Sequence, residues 1–273
     1  MRIVQLANFY SPTSGGLRTA LHHLAAEYTL AGHDVTRIVP GPVTRGHSYG
    51  NARHIEIASP RLGRTGYRMI TDGDAVTALL DRLQPDVIEL SDKTTLVAAA
   101  RRARSNGVPV VLISHERVDT VLRHRLPGFA PLGTMSRAWN RRLAQGCDAI
   151  VCASAYAAGE WRHVGADHVH RVPLGVDLER FDAAGPVNER ESGTIELVCV
   201  GRLSTEKHPA LAIGTARELT ERGVACRRHM IGDGPLAPAL RAAAQVRADR
   251  HRSCAGGRQH RVRSTRGRSR WRA

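Results

Sequence analysis

Lysine is nearly absent from this chain. Of its 40 basic residues only Lys93 and Lys207 are lysines, and the rest are arginine. That bias fits a GC-rich coding sequence, and it makes a lysine in a glycine-flanked loop stand out. Aromatic residues are scarce as well, at 4%, which argues against a stacking surface for bases. No run of 18 apolar residues occurs, so no membrane-spanning helix is expected. The first residues, MRIVQLANFY, are too short and too polar a stretch for a signal peptide. The five cysteines (Cys147, Cys152, Cys199, Cys226 and Cys254) show neither C-x-x-C nor zinc-finger spacing. They read as reduced, mostly buried thiols of a cytosolic protein. No G-x-G-x-x-G fingerprint is found, which disfavours a dinucleotide.

The net charge of +15 is unevenly spread. Residues 247–273 hold ten Arg and one Asp, which leaves +6 for residues 1–246. A basic arm would bind nucleic acid. This stretch lacks apolar periodicity and starts abruptly inside a helical pattern, so a frameshifted or disordered end is the favoured reading, and nucleic acid is not a favoured partner.

The remaining 246 residues alternate short apolar runs with amphipathic segments. Strands are expected at 2–7, 35–39, around Ile55 and Ile57, and at 86–90, 109–113, 148–152 and 169–172. Helices are expected at 17–28, 74–83, 95–105 and 155–164, the last with Ser154 as its N-cap. Continuous apolar strands separated by helices are the pattern of a parallel α/β sheet. The spacing therefore predicts a doubly wound, Rossmann-like domain over 1–172 and a connector over 173–194. A second α/β unit follows over 195–246, with two strands and two helices, which is too little for a complete doubly wound domain.

Four motifs carry candidate chemistry. Gly15–Gly16 lies between the first strand and the first helix, where an open α/β sheet takes a phosphate or a sugar. A tight turn explains it equally well. His115 ends the apolar strand PVVLIS on the same sheet edge and is placed to handle a proton or polarise a group. Arg202 and Lys207 follow a strand that ends in Gly201 and precede a helix opening near His208–Pro209; backbone N–H groups and two cations there suit a diphosphate. Gly232 and Asp233 begin a G-D-G-P turn, which alone is a β-turn former.

Taken in order, SPTSGGLRTAL, ISHER, VPLGVD, GRLSTEKHP and IGDGP resemble family 4 of the retaining glycosyltransferases. The narrower likeness is to actinobacterial mannosyltransferases that use GDP-mannose to build phosphatidylinositol mannosides. It rests on the N-terminal stretch and on ISHER, and it covers residues 1–246. The resemblance implies a GT-B fold in which two Rossmann-like domains face each other across a cleft, the first complete here and the second incomplete. It implies that Gly15 and Gly16 approach the donor and that His115 meets the transferred sugar. Arg202 and Lys207, with Gly232 and Asp233 nearby, would hold the diphosphate. No metal or cofactor is then needed, because the two cations offset the charge of the leaving group.

One departure is large. No two Glu are eight residues apart, so the Glu-x7-Glu pair that such enzymes use for the sugar and the ribose is absent. The expectation is a truncated, impaired transferase; a non-catalytic acceptor-binding remnant is the alternative. Expected partners are a nucleotide-sugar and a lipid or glycan acceptor. Arg117, Arg123, Arg125, Arg137, Arg141 and Arg142, interleaved with Leu122, Leu126, Phe129 and Leu132, suit peripheral contact with an anionic membrane at its cytoplasmic face. A solvated helix face explains them too.

Overall fold

Apolar runs that are shielded on both faces settle into parallel strands, and most of this chain's strands pair in that way. A computed structural model of the chain describes residues 1–10, 15–50, 52–63, 67–115, 117–118, 132–176, 178, 193–242 and 270–272. It divides into two units, Met1–Leu178 and Glu179–Ala273. The division falls inside the stretch 173–194 read as a connector.

The first unit alternates strand and helix. It runs β1 (Arg2–Leu6), α1 (Gly16–Leu30), β2 (Asp34–Gly41), β3 (Arg45–Tyr49), β4 (Ala52–Ala58), α2 (Gly73–Leu83) and β5 (Val87–Leu90). It continues with α3 (Val97–Ser105), β6 (Val110–Ser114), α4 (Leu132–Ala144), β7 (Ala149–Cys152), α5 (Ala155–Arg162) and β8 (Val169–Arg171). The sheet order is β3-β4-β2-β1-β5-β6-β7-β8. The chain winds outward from β1 and then returns to lay β5 on its other side, so the strand order switches direction between β1 and β5. Ligands of open α/β sheets bind at such a switch, beyond the carboxyl ends of the strands.

The helices end and begin for local reasons. Asp72 Oδ1 accepts from Ala75 N at 2.9 Å and caps α2, and Gln84, left-handed at φ +48°, ends it before Pro85. Ser154 Oγ accepts from Ala157 N at 3.1 Å and caps α5. One contiguous core joins strand residues Leu6, Ile38, Ile88, Leu112 and Ile150 to Leu80, Leu96 and Trp161 of the covering segments. Each such side chain contributes about 1.5–3 kcal/mol on burial.

A polar chain also crosses this interior beneath α1. Arg37, fully buried on β2, donates through Nε to Gln5 Oε1 at 3.1 Å and through Nη2 to Leu21 O at 2.8 Å. Gln5 Nε2 donates to Glu89 Oε2 at 2.9 Å, and Tyr28 OH donates to Glu89 Oε1 at 2.5 Å. Every charge in this chain thus has a partner, which is the condition for burying it.

The second unit comprises β9 (Ile195–Val200), a 3-10 turn (Thr205–Lys207), α6 (Pro209–Glu221), β10 (Cys226–Ile231), a helical stretch over 237–242 and β11 (Arg270–Arg272). Its sheet order is β11-β10-β9. Leu203, Met230, Ala237 and Leu240 form its small core. Val198 and Val200, which alternate with the half-buried Leu197 and Cys199, are 60% and 73% exposed.

Two strands depart from the sequence expectation. Arg45–Tyr49 pairs antiparallel with β4 at the sheet edge, although RGHSY has no apolar alternation to announce it. Arg270–Arg272 pairs antiparallel with β10, inside a tail read as disordered or frameshifted. The rest of 247–273 lies outside the described residues, and so do Leu122, Arg123, Arg125, Leu126 and Phe129 of the basic segment. Among the described residues no helix is long and apolar enough to cross a membrane.

Candidate functional site

The sequence-derived residues gather at two sheet ends, one in each unit. In the first unit the loop after β1 leads to Gly15, which precedes α1 at φ +117°, a backbone that favours glycine. Gly15 and Gly16 are exposed, and a Cβ added to either would meet nothing within 4 Å. Among the described residues the first turn of α1 carries no acidic side chain and no side-chain cap, and the positive end of the helix dipole lies there.

His115 follows β6 on the same edge. Its Nε2 lies 3.4 Å from Ser91 Oγ, at the end of β5. Burial, reinforced by the charge of Lys93, pushes the imidazole below its ordinary pKa, so the neutral ring is favoured.

Sequence reasoning missed what holds His115 in place. Glu160, on α5, is 4% exposed. Its carboxylate takes four donors. Lys93 Nζ and Ser114 Oγ (3.2 Å) reach Oε1, while Val118 N (2.9 Å) and Asn140 Nδ2 (3.1 Å) reach Oε2. Ser114 and Val118 flank His115 in the chain, so one buried carboxylate ties down both sides of the loop. Trp161 Nε1 donates to Ser114 Oγ at 3.2 Å, and Lys93 Nζ sits 4.9 Å from the Trp161 ring centroid. A signal was present in the sequence: Glu160 lies on the Ala157–Trp161 face of its helix, where an ionised group needs a partner, and Lys93 is one of the two lysines.

In the second unit the loops after β9 and β10 are laced by backbone hydrogen bonds. Gly201 N donates to Ile231 O at 3.0 Å, Leu203 N to Asp233 O at 2.9 Å and Leu236 N to Leu203 O at 2.9 Å. The loops approach so closely that a Cβ on Gly232 would fall 1.9 Å from Gly201 O, and one on Gly234 2.5 Å from Leu203 O. Both glycines are therefore required by the loop packing. Asp233 spends its Oδ1 on the Gly234 amide at 2.8 Å. Arg202 is half-buried just past Gly201, and Lys207 is exposed at the end of the 3-10 turn. His208, left-handed at φ +45°, then turns the chain into α6, with Pro209 at its first position. Lys207 thus stands just before α6, whose first turn carries no acidic side chain among the described residues. The only D-x-D triplet, Asp72-Gly73-Asp74, is at the start of α2, where Asp72 acts as the cap.

Comparison with known proteins supplies the frame for these two sheet ends. The family model described as Glycosyltransferase Family 4 matches residues 14–180. The chain is 40% identical over 249 residues to a GDP-mannose-dependent alpha-(1-6)-phosphatidylinositol dimannoside mannosyltransferase of Mycobacterium tuberculosis, covering 86% of this chain and 63% of that protein. It is 26% identical to a GDP-mannose-dependent alpha-mannosyltransferase of Corynebacterium glutamicum, covering 88% of this chain and 59% of that one. The chain thus spans about three fifths of the length of these curated relatives. Among solved structures it is similar to HepE of Anabaena in complex with UDP and glucose, with a TM-score of 0.62 at 14% identity over 94% of this chain and 67% of that one. A sucrose-phosphate synthase from Thermosynechococcus elongatus gives 0.59 at 12% identity over 85% and 70%. These likenesses carry the fold, while the match over 14–180 carries the family: the chain belongs to glycosyltransferase family 4.

Proposed function

We propose that this chain is a retaining mannosyltransferase that moves mannose from GDP-mannose to a glycolipid of the phosphatidylinositol mannoside kind. The observation that carries the reading is the laced loop pair after β9 and β10, which presents Arg202 and Lys207 beside a helix N-terminus, in a chain 40% identical to a transferase named for that donor and acceptor.

The chemistry assigned to the residues is electrostatic. Transfer breaks the bond between the sugar's anomeric carbon and the diphosphate, and charge builds on the departing oxygen. Arg202 and Lys207 would stabilise it, each worth about 10²–10³ in rate. His115, kept neutral by burial, would accept or donate a hydrogen bond to the sugar. Gly15 and Gly16 leave space for a phosphate or hydroxyl to approach the amides of α1. No metal is assigned to the reaction. Arg137, Arg141 and Arg142 are exposed on α4 beside the exposed Met135 and Trp139, which supports a peripheral stance at an anionic bilayer.

The test is transfer of radiolabelled mannose by the purified full chain, with phosphatidylinositol mannoside in anionic vesicles as acceptor. Lipid-dependent transfer that drops about 10²–10³-fold in Arg202→Ala or Lys207→Ala supports the reading. Vesicle-bound acceptor captured with no transfer replaces the transferase with an acceptor-binding protein.

A further inference from the structure

Histidines become neighbours across an antiparallel ladder when the register sets them opposite one another. The edge pair β3–β4 does so: His47 faces His54, and Arg45 faces Glu56. His54 and Glu56 are two residues apart, so they share one face of β4. One donor atom from each of His47, His54 and Glu56 lies within 4.8 Å of the other two. His54 Nε2 is 4.0 Å from Glu56 Oε1, and the rings of His47 and His54 are 4.9 Å apart between centroids.

His54 adds an independent observation. It is 3% exposed, and its Nδ1 has no hydrogen-bond partner among the described residues. A buried polar atom left without a partner costs about 1–3 kcal/mol.

We propose that His47, His54 and Glu56 bind a divalent first-row transition ion of the zinc class and clip the polar edge strand β3 to β4. Two imidazoles and a carboxylate suit zinc, with a fourth position left to water. Donors on a tetrahedral zinc stand about 3.4 Å apart, given bonds of about 2.0–2.2 Å, so closure asks for about 1 Å of side-chain rotation. His47 is half-buried on the edge strand β3, which has a neighbour on one side only, and has room to supply it. Arg45 donates Nε to Glu56 Oε2 at 3.1 Å and Nη2 to Oε1 at 3.0 Å. A carboxylate has about four lone-pair positions, so two remain for a metal, and the guanidinium orients the ligand from behind. The positive charges of Arg45 and of Arg37, which is His54's neighbour on β2, oppose a dication. The affinity expected is therefore on the order of micromolar. Three strands lie between β4 and β6, and the clip has no part in sugar transfer.

The experiment is zinc titration of the untagged full chain against a chromophoric chelator, with melting followed in parallel. About one zinc per chain is expected, with a rise in melting temperature. His47→Asn and Glu56→Gln should each weaken binding at least about tenfold, whereas His163→Asn, at an exposed histidine elsewhere, should not. His54→Asn alters a core position, so His47 on the edge strand decides. Wild-type chain that takes up no zinc, or His47→Asn chain that binds it as tightly as wild type, overturns the proposal.

Discussion

Lys93 and Glu160 form a buried ion pair, with side chains 14% and 2% exposed, at the end of the sheet that carries His115. Removing one partner of such a pair strands the other charge in the interior, at a cost of about 3–5 kcal/mol. Glu160→Gln keeps the shape and loses the charge, so urea denaturation should show a stability loss of that order. Lys93→Met with Glu160→Gln should cost less than the two single changes summed. Strict additivity in the cycle would mean that the pair is not coupled.

The glycines of the second unit make a sharper structural claim. Gly232→Ala and Gly234→Ala each drive a methyl group into backbone oxygen. Each should lose at least about 2 kcal/mol, seen as lost hydrogen-exchange protection at the Leu203 and Leu236 amides. Gly46→Ala, where a Cβ meets nothing within 4 Å, should stay within about 0.5 kcal/mol of wild type.

Gly16 separates conformation from binding. It opens α1 with open space where a Cβ would stand, so Gly16→Ala should melt at or slightly above the wild-type temperature. Mannose transfer should nevertheless fall, because the new methyl occupies the approach to the helix amides. Unchanged transfer would reduce Gly16 to a conformational residue.

Acid sensitivity should follow His22. Burial, then the charges of Arg37 and Arg18, pushes its pKa down to about 4 from 6.5. Arg37 Nη1, which can only donate, lies 3.4 Å from His22 Nε2, and Tyr10 OH lies 2.8 Å from the same atom, so Nε2 is the accepting nitrogen and the ring is neutral. As pH falls, the unfolded chain takes up this proton first. The stability contributed by neutral His22 is whole above 6.5, declines between 6.5 and about 4, and changes no further below. The slope contributed is at most about 1.4 kcal/mol per pH unit, and partial exposure lowers it. His22→Gln should flatten the melting-temperature profile in that window; an unchanged profile would place the sensitivity elsewhere.

The fold was legible wherever burial on both faces wrote a continuous apolar run. β6 and β7 are such runs, β1 and β5 are apolar but for the buried Gln5 and Glu89, and the turn residues between them marked the helices. β3 was not legible, because an edge strand of Arg, Gly, His, Ser and Tyr has one neighbour and little to bury. The glycines and cations of the candidate site could be read because loops after parallel strands have fixed places on the sheet edge. The partners of Glu160 could not, since Lys93, Ser114, Val118 and Asn140 are 67, 46, 42 and 20 residues away, and only folding brings them together.

The polar chain from Glu89 through Gln5 to Arg37 acts as a key for α1. An apolar interface would let that helix slide or rotate by a residue with little loss. Here any such slip would leave the guanidinium of Arg37 without Leu21 O, and the carboxylate of Glu89 without Tyr28, each an ionised group with an unmet partner in the interior. Replacing the chain with well-packed hydrophobic residues could leave the fold equally stable, yet it would erase the penalty on misregistered packings. The aim of the α1 amides is thus set by charges buried beneath the helix.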